Sequence, residues 1–386
     1  MNIAFLQRAF SKKIIEATKT TTLGLCKEFV KDKNKAEVIT ERGYLYGENL
    51  EKHETIEGIS IHRPYFFPFP IKNCPKIIEI LNYFSAPSLG VKYVEDKFNV
   101  KFDIIHSISA APVLALTGVF AKLISRRAKL VHTIKSESPY GFKFAWLLNF
   151  ADKVIVPSEQ VKKNLIKGGC KAHNISLIKS PIDTERFRPM DKNKMKAKYG
   201  FKNKKIVLYY GGFIRNKGVD DLFETVRYLV EENPEIELHL INRGNIEKKY
   251  LKLYQGLGSY KANVKMFFKK INVPEYLNAV DVLVLPYANL KSTEANPLCL
   301  LEGMACKTPI VTTDLPELRE IVEPNKDVIM ANPGDPKSIA SNILKLLNDK
   351  KLQTKLSENA HKKVKDFDIK KIAQEHIRLY RSLLRS

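Results

Sequence analysis

Between Thr293 and Asp314 the chain reads TEANPLCLLEGMACKTPIVTTD. Glu294 and Glu302 stand eight positions apart around an Asn-Pro step, within an otherwise apolar run. An unpaired carboxylate buried there would be costly. Asn296 is a favoured helix N-cap and Pro297 a favoured first helical residue, so the sequence predicts a helix that opens here. It should run through LCLLEGMACK and stop before Thr308-Pro309, because the residue before proline disfavours α geometry. The first amides of that helix, on Leu298, Cys299 and Leu300, would project from its N-terminus, an arrangement suited to phosphate. Carboxylates cannot ligate phosphate. Glu302, on the helix face of Leu298 and Cys299, and Glu294 in the preceding loop would instead accept hydrogen bonds from hydroxyls beside it. A ribose and a sugar flanking a diphosphate meet that need, with Glu302 on the ribose and Glu294 on the sugar. Taken alone, the spacing favours a solvated helix face and a loop charge, because glutamate is common.

The elements that would hold these residues are short β-branched strands alternating with amphipathic helices, the pattern of parallel α/β units. In the first half the strands read NIAFL, AEVIT, ISIHRP, FDIIHSI, KLVHTI, KVIVPS and ISLIKSPI, with helices around Thr20–Lys31, Pro112–Ser125 and Glu159–Lys167. A second series runs KKIVLYYGG, IELHLIN, VKMFF, DVLVLPY, PIVTTD and VIMANP. The charged stretch TERFRPMDKNKMKAKYGFKNKK between them reads as a linker. In the last segment Ile372, Ile377, Tyr380 and Leu383 share one apolar helical face. The expected fold is therefore α/β, with two Rossmann-like parallel-sheet domains facing a central cleft. The boundaries fall at 1–187 and 188–367, and the helix 368–386 completes the first domain. Such sheets bind ligands at the carboxyl ends of their strands.

At 386 residues the chain exceeds what one core serves, and its hydrophobic content of 44% is globular. Cys26, Cys74, Cys170, Cys299 and Cys306 are scattered without a C-x-x-C or a histidine cluster, which predicts reduced cytoplasmic thiols and no structural zinc. The N-terminus lacks the long apolar core of a signal peptide. The longest apolar stretch, Ile108 to Ile124, is broken by Pro112, Gly118 and Lys122 and is short for a membrane span. A net charge of +23 favours an anionic partner: nucleic acid, lipid headgroups or a phosphorylated substrate.

The run E-A-N-P-L-C-L-L-E-G-M-A-C-K-T-P-I-V-T-T-D resembles the signature of retaining glycosyltransferases of family 4, which have the GT-B fold. The resemblance extends over nearly the whole chain. DVLVLPY precedes the run and LPELREIV and NPGDPKSIASNILKLLND follow it. Upstream, ADKVIVPSEQVKKNLIKGG and IKSPIDTERFRP occupy the places of the family's serine-containing strand end and its linker. The resemblance implies transfer of a sugar from a nucleotide-diphosphate sugar to a glycan, lipid-linked or small-molecule acceptor hydroxyl, with retention. It implies no cofactor beyond that co-substrate, and no Asp-x-Asp with a supporting acidic partner calls for a catalytic metal. The family opens its second domain with Gly-Arg and then Lys-Gly; here YYGGFIRNKG places Gly212 at the arginine position and keeps Lys217. The resemblance thus assigns Lys217 to the diphosphate, with Arg215 or Arg243 as substitute cations or solvated loop charges. Gly211 and Gly212 would let the backbone approach phosphate. In the first domain the family's Asp-x-x-His-x-His appears as Asp103, His106 and Ile108. His106 is then a sugar contact or a strand-end packing residue. The family's early Gly-Gly loop is replaced by QRAFSKK, so the acceptor cannot be inferred by analogy.

Other classes remain open. A nucleic-acid-binding protein would need basic and aromatic residues interleaved on one face, and no such module is present. A non-catalytic glycosyltransferase-like binding protein is compatible with Gly212 and Ile108. A dinucleotide-binding dehydrogenase would need G-x-G-x-x-G after NIAFL or KIVLYY, and neither has it. Finally, HRPYFFPFPIKNCPKIIEILNYF joins Tyr65, Phe66, Phe67 and Phe69 to Lys72 and Lys76. That pairing of aromatics and cations predicts peripheral docking on an anionic cytoplasmic membrane face, or else packing of the aromatics under the acceptor cleft or into the core.

Overall fold

The structure is a computed structural model, and it describes all residues except 8–9, 11–16, 41–49, 65–75, 110–111, 137–140, 243–245, 269–270, 292 and 386. The chain divides into two units, Met1–Pro181 with Ile369–Ser386, and Ile182–Asp368. The first crossing therefore lies ahead of the 187/188 position expected from sequence. The segment 65–75, Arg243 and most of QRAFSKK lie outside the described residues.

In the first unit the strands are β1 (Asn2–Leu6), β2 (Lys35–Ile39), β3 (His53–Ile56), β4 (Ile59–His62), β5 (Ile104–Ser109), β6 (Lys129–Ile134), β7 (Lys153–Val156) and β8 (Ile175–Leu177). They form one sheet in the order β3-β4-β2-β1-β5-β6-β7-β8. Every described pairing is parallel except β3 with β4, a hairpin turned at Glu57-Gly58, both at positive φ (51° and 85°). Positive φ at both central residues is the type I′ geometry that suits the strand twist. The sequence reading missed β3 because His-Glu-Thr-Ile carries no apolar signature. The helix Ile369–Arg385 returns to this unit and buries Ile372, Ile377 and Tyr380 with Phe5 and Phe29.

The second unit contains β9 (Lys205–Gly211), β10 (Ile236–Asn242), β11 (Val264–Phe267), β12 (Val282–Leu285), β13 (Ile310–Thr313) and β14 (Ile329–Ala331). The order is β11-β10-β9-β12-β13-β14, parallel throughout. The chain winds outward in one direction from β9 and in the other from β12. A crevice therefore opens where the carboxyl ends of these two strands adjoin.

The presumed linker is not structureless. It holds the helix Lys192–Tyr199, capped by Asp191, whose carboxylate accepts from the Lys194 amide, and closed by Gly200 in the left-handed region. Ion pairs and one aromatic residue dock it: Lys196 Nζ lies 2.7 Å from Asp281, while Tyr199 donates to Glu275 at 2.9 Å and meets the Tyr276 ring edge to face at 5.0 Å. A lysine-rich helix of this kind has no hydrophobic stripe for a sequence reading to detect.

Candidate active site

The crevice of the second unit is built from two loops. The first leaves β9 through Gly211 and Gly212, makes a tight 3-10 turn over Arg215–Lys217 and ends at Gly218, in the left-handed region at φ 66°. Tyr209 donates its hydroxyl hydrogen to the Gly212 carbonyl at 2.8 Å. Lys217 Nζ lies 3.8 Å from the position a Cβ on Gly211 would occupy, and the corresponding position at Gly212 faces open space. Arg215 is exposed on the turn and Lys217 is half-buried.

The second loop leaves β12. Asn216 ties it to the first: its carbonyl accepts from the Ala288 and Asn289 amides at 2.9 and 3.3 Å, and its Nδ2 donates to the Lys291 carbonyl at 3.0 Å. Glu294 is half-buried on this loop, and Asn296 and Pro297 are buried. The helix that follows spans Leu298–Ala305, so it starts one residue later than the sequence predicted. Pro297, extended at ψ 119°, occupies the cap position with no side-chain cap, and Asn296 is not the cap. The Leu300 amide donates to the Pro297 carbonyl at 3.0 Å and is committed there. Leu298 and Cys299 supply the first two amides of the turn.

Glu302 is buried on this helix, 5% exposed, and not on a solvated face. Tyr210, from the end of β9, donates to Glu302 Oε2 at 2.5 Å and approaches the Cys299 carbonyl at 3.2 Å. Tyr209 and Tyr287 are buried nearby. Burial first, then the neighbouring acidic groups, pushes both phenols well above their ordinary range, so they stay protonated donors. The structure thus brings Gly211 and Lys217 together on one loop, and Glu302 and Cys299 together with Tyr210. Tyr210 and Asn216 were missed from sequence. The tandem Tyr-Tyr ending β9 was the available signal, since alternate strand residues point to opposite faces. Among the described residues no three His, Cys, Asp or Glu side chains gather as metal ligands.

Of the two expectations for His106, a sugar contact or strand-end packing, its surroundings match the second. It is buried in the first unit's core on β5, with Nδ1 2.5 Å from Tyr380 Oη and Nε2 2.6 Å from Thr133 Oγ1. Its ring lies against Phe5 at 4.8 Å. With both nitrogens engaged, His106 is a packing residue. His132 is held likewise by Ser107 and Ser109 at 2.6 and 2.9 Å, and His376 donates from Nδ1 to the Ile372 carbonyl at 2.9 Å.

Burial holds these imidazoles neutral: His106 well below its usual range, His132 down to about 3 and His376 to about 4. Once unfolded, each protonates near 6.5, so the unfolded chain takes up protons first as pH falls. Their contribution is therefore complete above that value and declines below it, by up to ~1.4 kcal/mol per pH unit for each histidine. Urea midpoints should fall steadily between about pH 7 and about pH 5. A flat profile would contradict the neutral assignment.

The chain matches two family models: glycosyl transferases group 1 over residues 191–363 and glycosyltransferase family 4 over residues 18–186. The capsular polysaccharide biosynthesis glycosyltransferase CapM of Staphylococcus aureus is 25% identical over 301 residues, 72% of this chain and 76% of that protein. Sucrose-phosphate synthase from Thermosynechococcus elongatus superposes with a TM-score of 0.82 at 19% identity, covering 100% of both chains. Anabaena HepE, solved with UDP and glucose, gives 0.75 at 20% identity over 99% of this chain and 100% of that chain. The architecture is GT-B, and with one model on each unit the chain belongs to the group 1, family 4 glycosyltransferases.

Proposed function

We propose that this glycosyltransferase moves a sugar from a nucleotide-diphosphate sugar to an acceptor hydroxyl, with retention and without a catalytic metal, in glycan or glycolipid assembly. The observation that carries the reading is the junction of the β9 and β12 loops at Asn216, with half-buried Lys217 on the first loop and, directly after the second, the helix that carries buried Glu302. In this reading Glu302, oriented by Tyr210, accepts from the ribose hydroxyls. The diphosphate lies against the Leu298 and Cys299 amides and the Lys217 ammonium, over the bare surface of Gly211 and Gly212. Glu294 accepts from the sugar, and exposed Arg215 adds long-range attraction. As the anomeric C–O bond to the diphosphate breaks, Lys217 and the amides stabilise the negative charge that develops on the leaving group. The acceptor oxygen bonds to the anomeric carbon on the face the leaving group vacates, and its proton passes to that group.

A thermal-shift panel of UDP-, GDP- and ADP-sugars tests this, because a donor stabilises the folded state in proportion to its binding. One nucleotide class should raise the midpoint of the wild-type protein. Glu302→Ala should bind it at least several-fold more weakly, since a hydrogen bond to a charged group contributes about 1.5–3 kcal/mol. Glu294→Ala should keep the midpoint shift and lose transfer. If Glu302→Ala binds the nucleotide as well as wild type, the ribose assignment is wrong.

A further inference from the structure

Five large apolar side chains of the first unit, Phe120, Leu123, Phe144, Trp146 and Phe150, are between 47% and 63% exposed. They lie on two adjoining segments: the helix Leu116–Ile124, whose lead-in turn packs on the second segment, and the residues around the 3-10 turn Ala145–Phe150. Lys122 Nζ, 2.5 Å from Asp152, pins one to the other. The Trp146 and Phe150 rings meet edge to face at 6.4 Å. Phe144 is held in the left-handed region at φ 66°, a conformation costly for an aromatic residue. Single exposed apolar residues are ordinary, but a cluster of this size marks a contact surface.

The charge around the cluster selects its partner. From Pro112 to Lys171 there are eleven Lys and Arg against three Asp and Glu. The two of those acids that are described are both paired, Asp152 with Lys122 and Glu159 with Lys162. Arg126, Arg127 and Lys143 are exposed and adjoin the apolar residues in sequence, Arg127 in a loose, exposed ion pair with Asp103 at 3.4 Å. At the C-terminal end of the helix Glu159–Lys167, Ile166 with Lys163 and Lys167 forms an outward face. That end abuts the cluster: a Cβ on Gly169 would lie 3.2 Å from Trp146 Cβ.

We propose that this cluster docks the protein on anionic lipid bilayers, with the aromatic side chains entering the headgroup boundary and the surrounding cations facing lipid phosphates. Tryptophan favours that boundary, where its ring is apolar and its N–H finds a partner. Cations beside an anionic leaflet add to the apolar burial. Among the described residues no helix is long and apolar enough to cross a membrane, so the contact is superficial. None of the cluster's residues belongs to the segment 65–75. The proposal does not depend on the transferase chemistry: vesicle binding can fail while donor binding stands.

Trp146 is the only tryptophan of the chain, so its fluorescence reports on this surface alone. With full-length protein and vesicles of phosphatidylglycerol in phosphatidylcholine, its emission should shift to the blue and be quenched by brominated acyl chains. Pure phosphatidylcholine vesicles should give little change. Leu123→Glu should weaken vesicle partition about tenfold at an unchanged thermal midpoint, and Arg126→Glu/Arg127→Glu should abolish the preference for anionic lipid. An unshifted emission with anionic vesicles at low salt overturns the proposal, as does equal binding to neutral vesicles. A blue shift that grows with protein concentration in vesicle-free buffer would instead give the surface to a second copy of the chain.

Discussion

Lys217→Ala is expected to lower turnover at saturating donor by about 10²–10³-fold, the usual cost of removing one preorganised donor to a developing anion. The lysine is half-buried on a 3-10 turn, and its ammonium stands over the bare backbone of Gly211. In the proposed reaction its charge has most to do when the leaving diphosphate separates, so the loss should appear in kcat more than in folding. Released nucleoside diphosphate, followed at saturating donor alongside thermal unfolding, separates the two effects. Lys217→Arg should recover only part of the rate, because the guanidinium keeps the charge but presents a planar fork in place of a compact ammonium. Wild-type turnover in Lys217→Ala would remove the lysine from the diphosphate site.

Gly218→Ala should be among the most damaging single substitutions in the second unit. A Cβ there would sit 1.7 Å from the Pro286 carbonyl oxygen, and the backbone lies at φ 66°. Neither obstacle is a flexible side chain, so relief requires the β9 and β12 loops to separate. The expected cost exceeds about 3 kcal/mol, within the range of severe steric and backbone effects. Because the same two loops frame the crevice, donor affinity should fall with stability. Gly212→Ala is the control: its Cβ would meet nothing within 4 Å, and it should leave the thermal midpoint unchanged. If Gly218→Ala melts like wild type, the close approach of the two loops is not present in solution.

The alternation of strands and helices was legible because buried parallel strands are runs of Val, Ile and Leu; Ile236–Asn242 and Lys129–Ile134 appear as read. The edge strand His53–Ile56 and the helix Lys192–Tyr199 were not, since a tight turn specifies one and ion pairs hold the other. In the site, Glu302 stood out as a charge in an apolar run; the spacing taken alone favoured a solvated face, and the structure buries it instead. Its partner Tyr210 lies 92 residues away in sequence, and nothing local in either segment announces the pairing. Helix-start preferences put the cap at Asn296. Backbone turning at Pro297 overrode them, because the Leu300 and Leu301 amides both close on that carbonyl. His106 was ambiguous from sequence because a strand-end histidine reads the same whether it faces solvent or core. Tyr380, 274 residues away, decides it.

That last pairing has a consequence for how the protein is made. A ribosome releases Phe5, Phe29 and His106 long before Ile377 and Tyr380, so the first unit waits with an uncovered apolar face while the second is synthesised. The ends of the second unit meet, with the Ile182 amide donating to the Phe367 carbonyl at 2.8 Å. Once that unit has folded, the long excursion behaves as a short tether, and the entropy of returning the final helix is largely already spent. Nascent chains stalled before Ile369 should therefore expose an apolar groove to chaperones. The helix Ile369–Arg385 then acts as a latch that closes the first unit only after the second has been made.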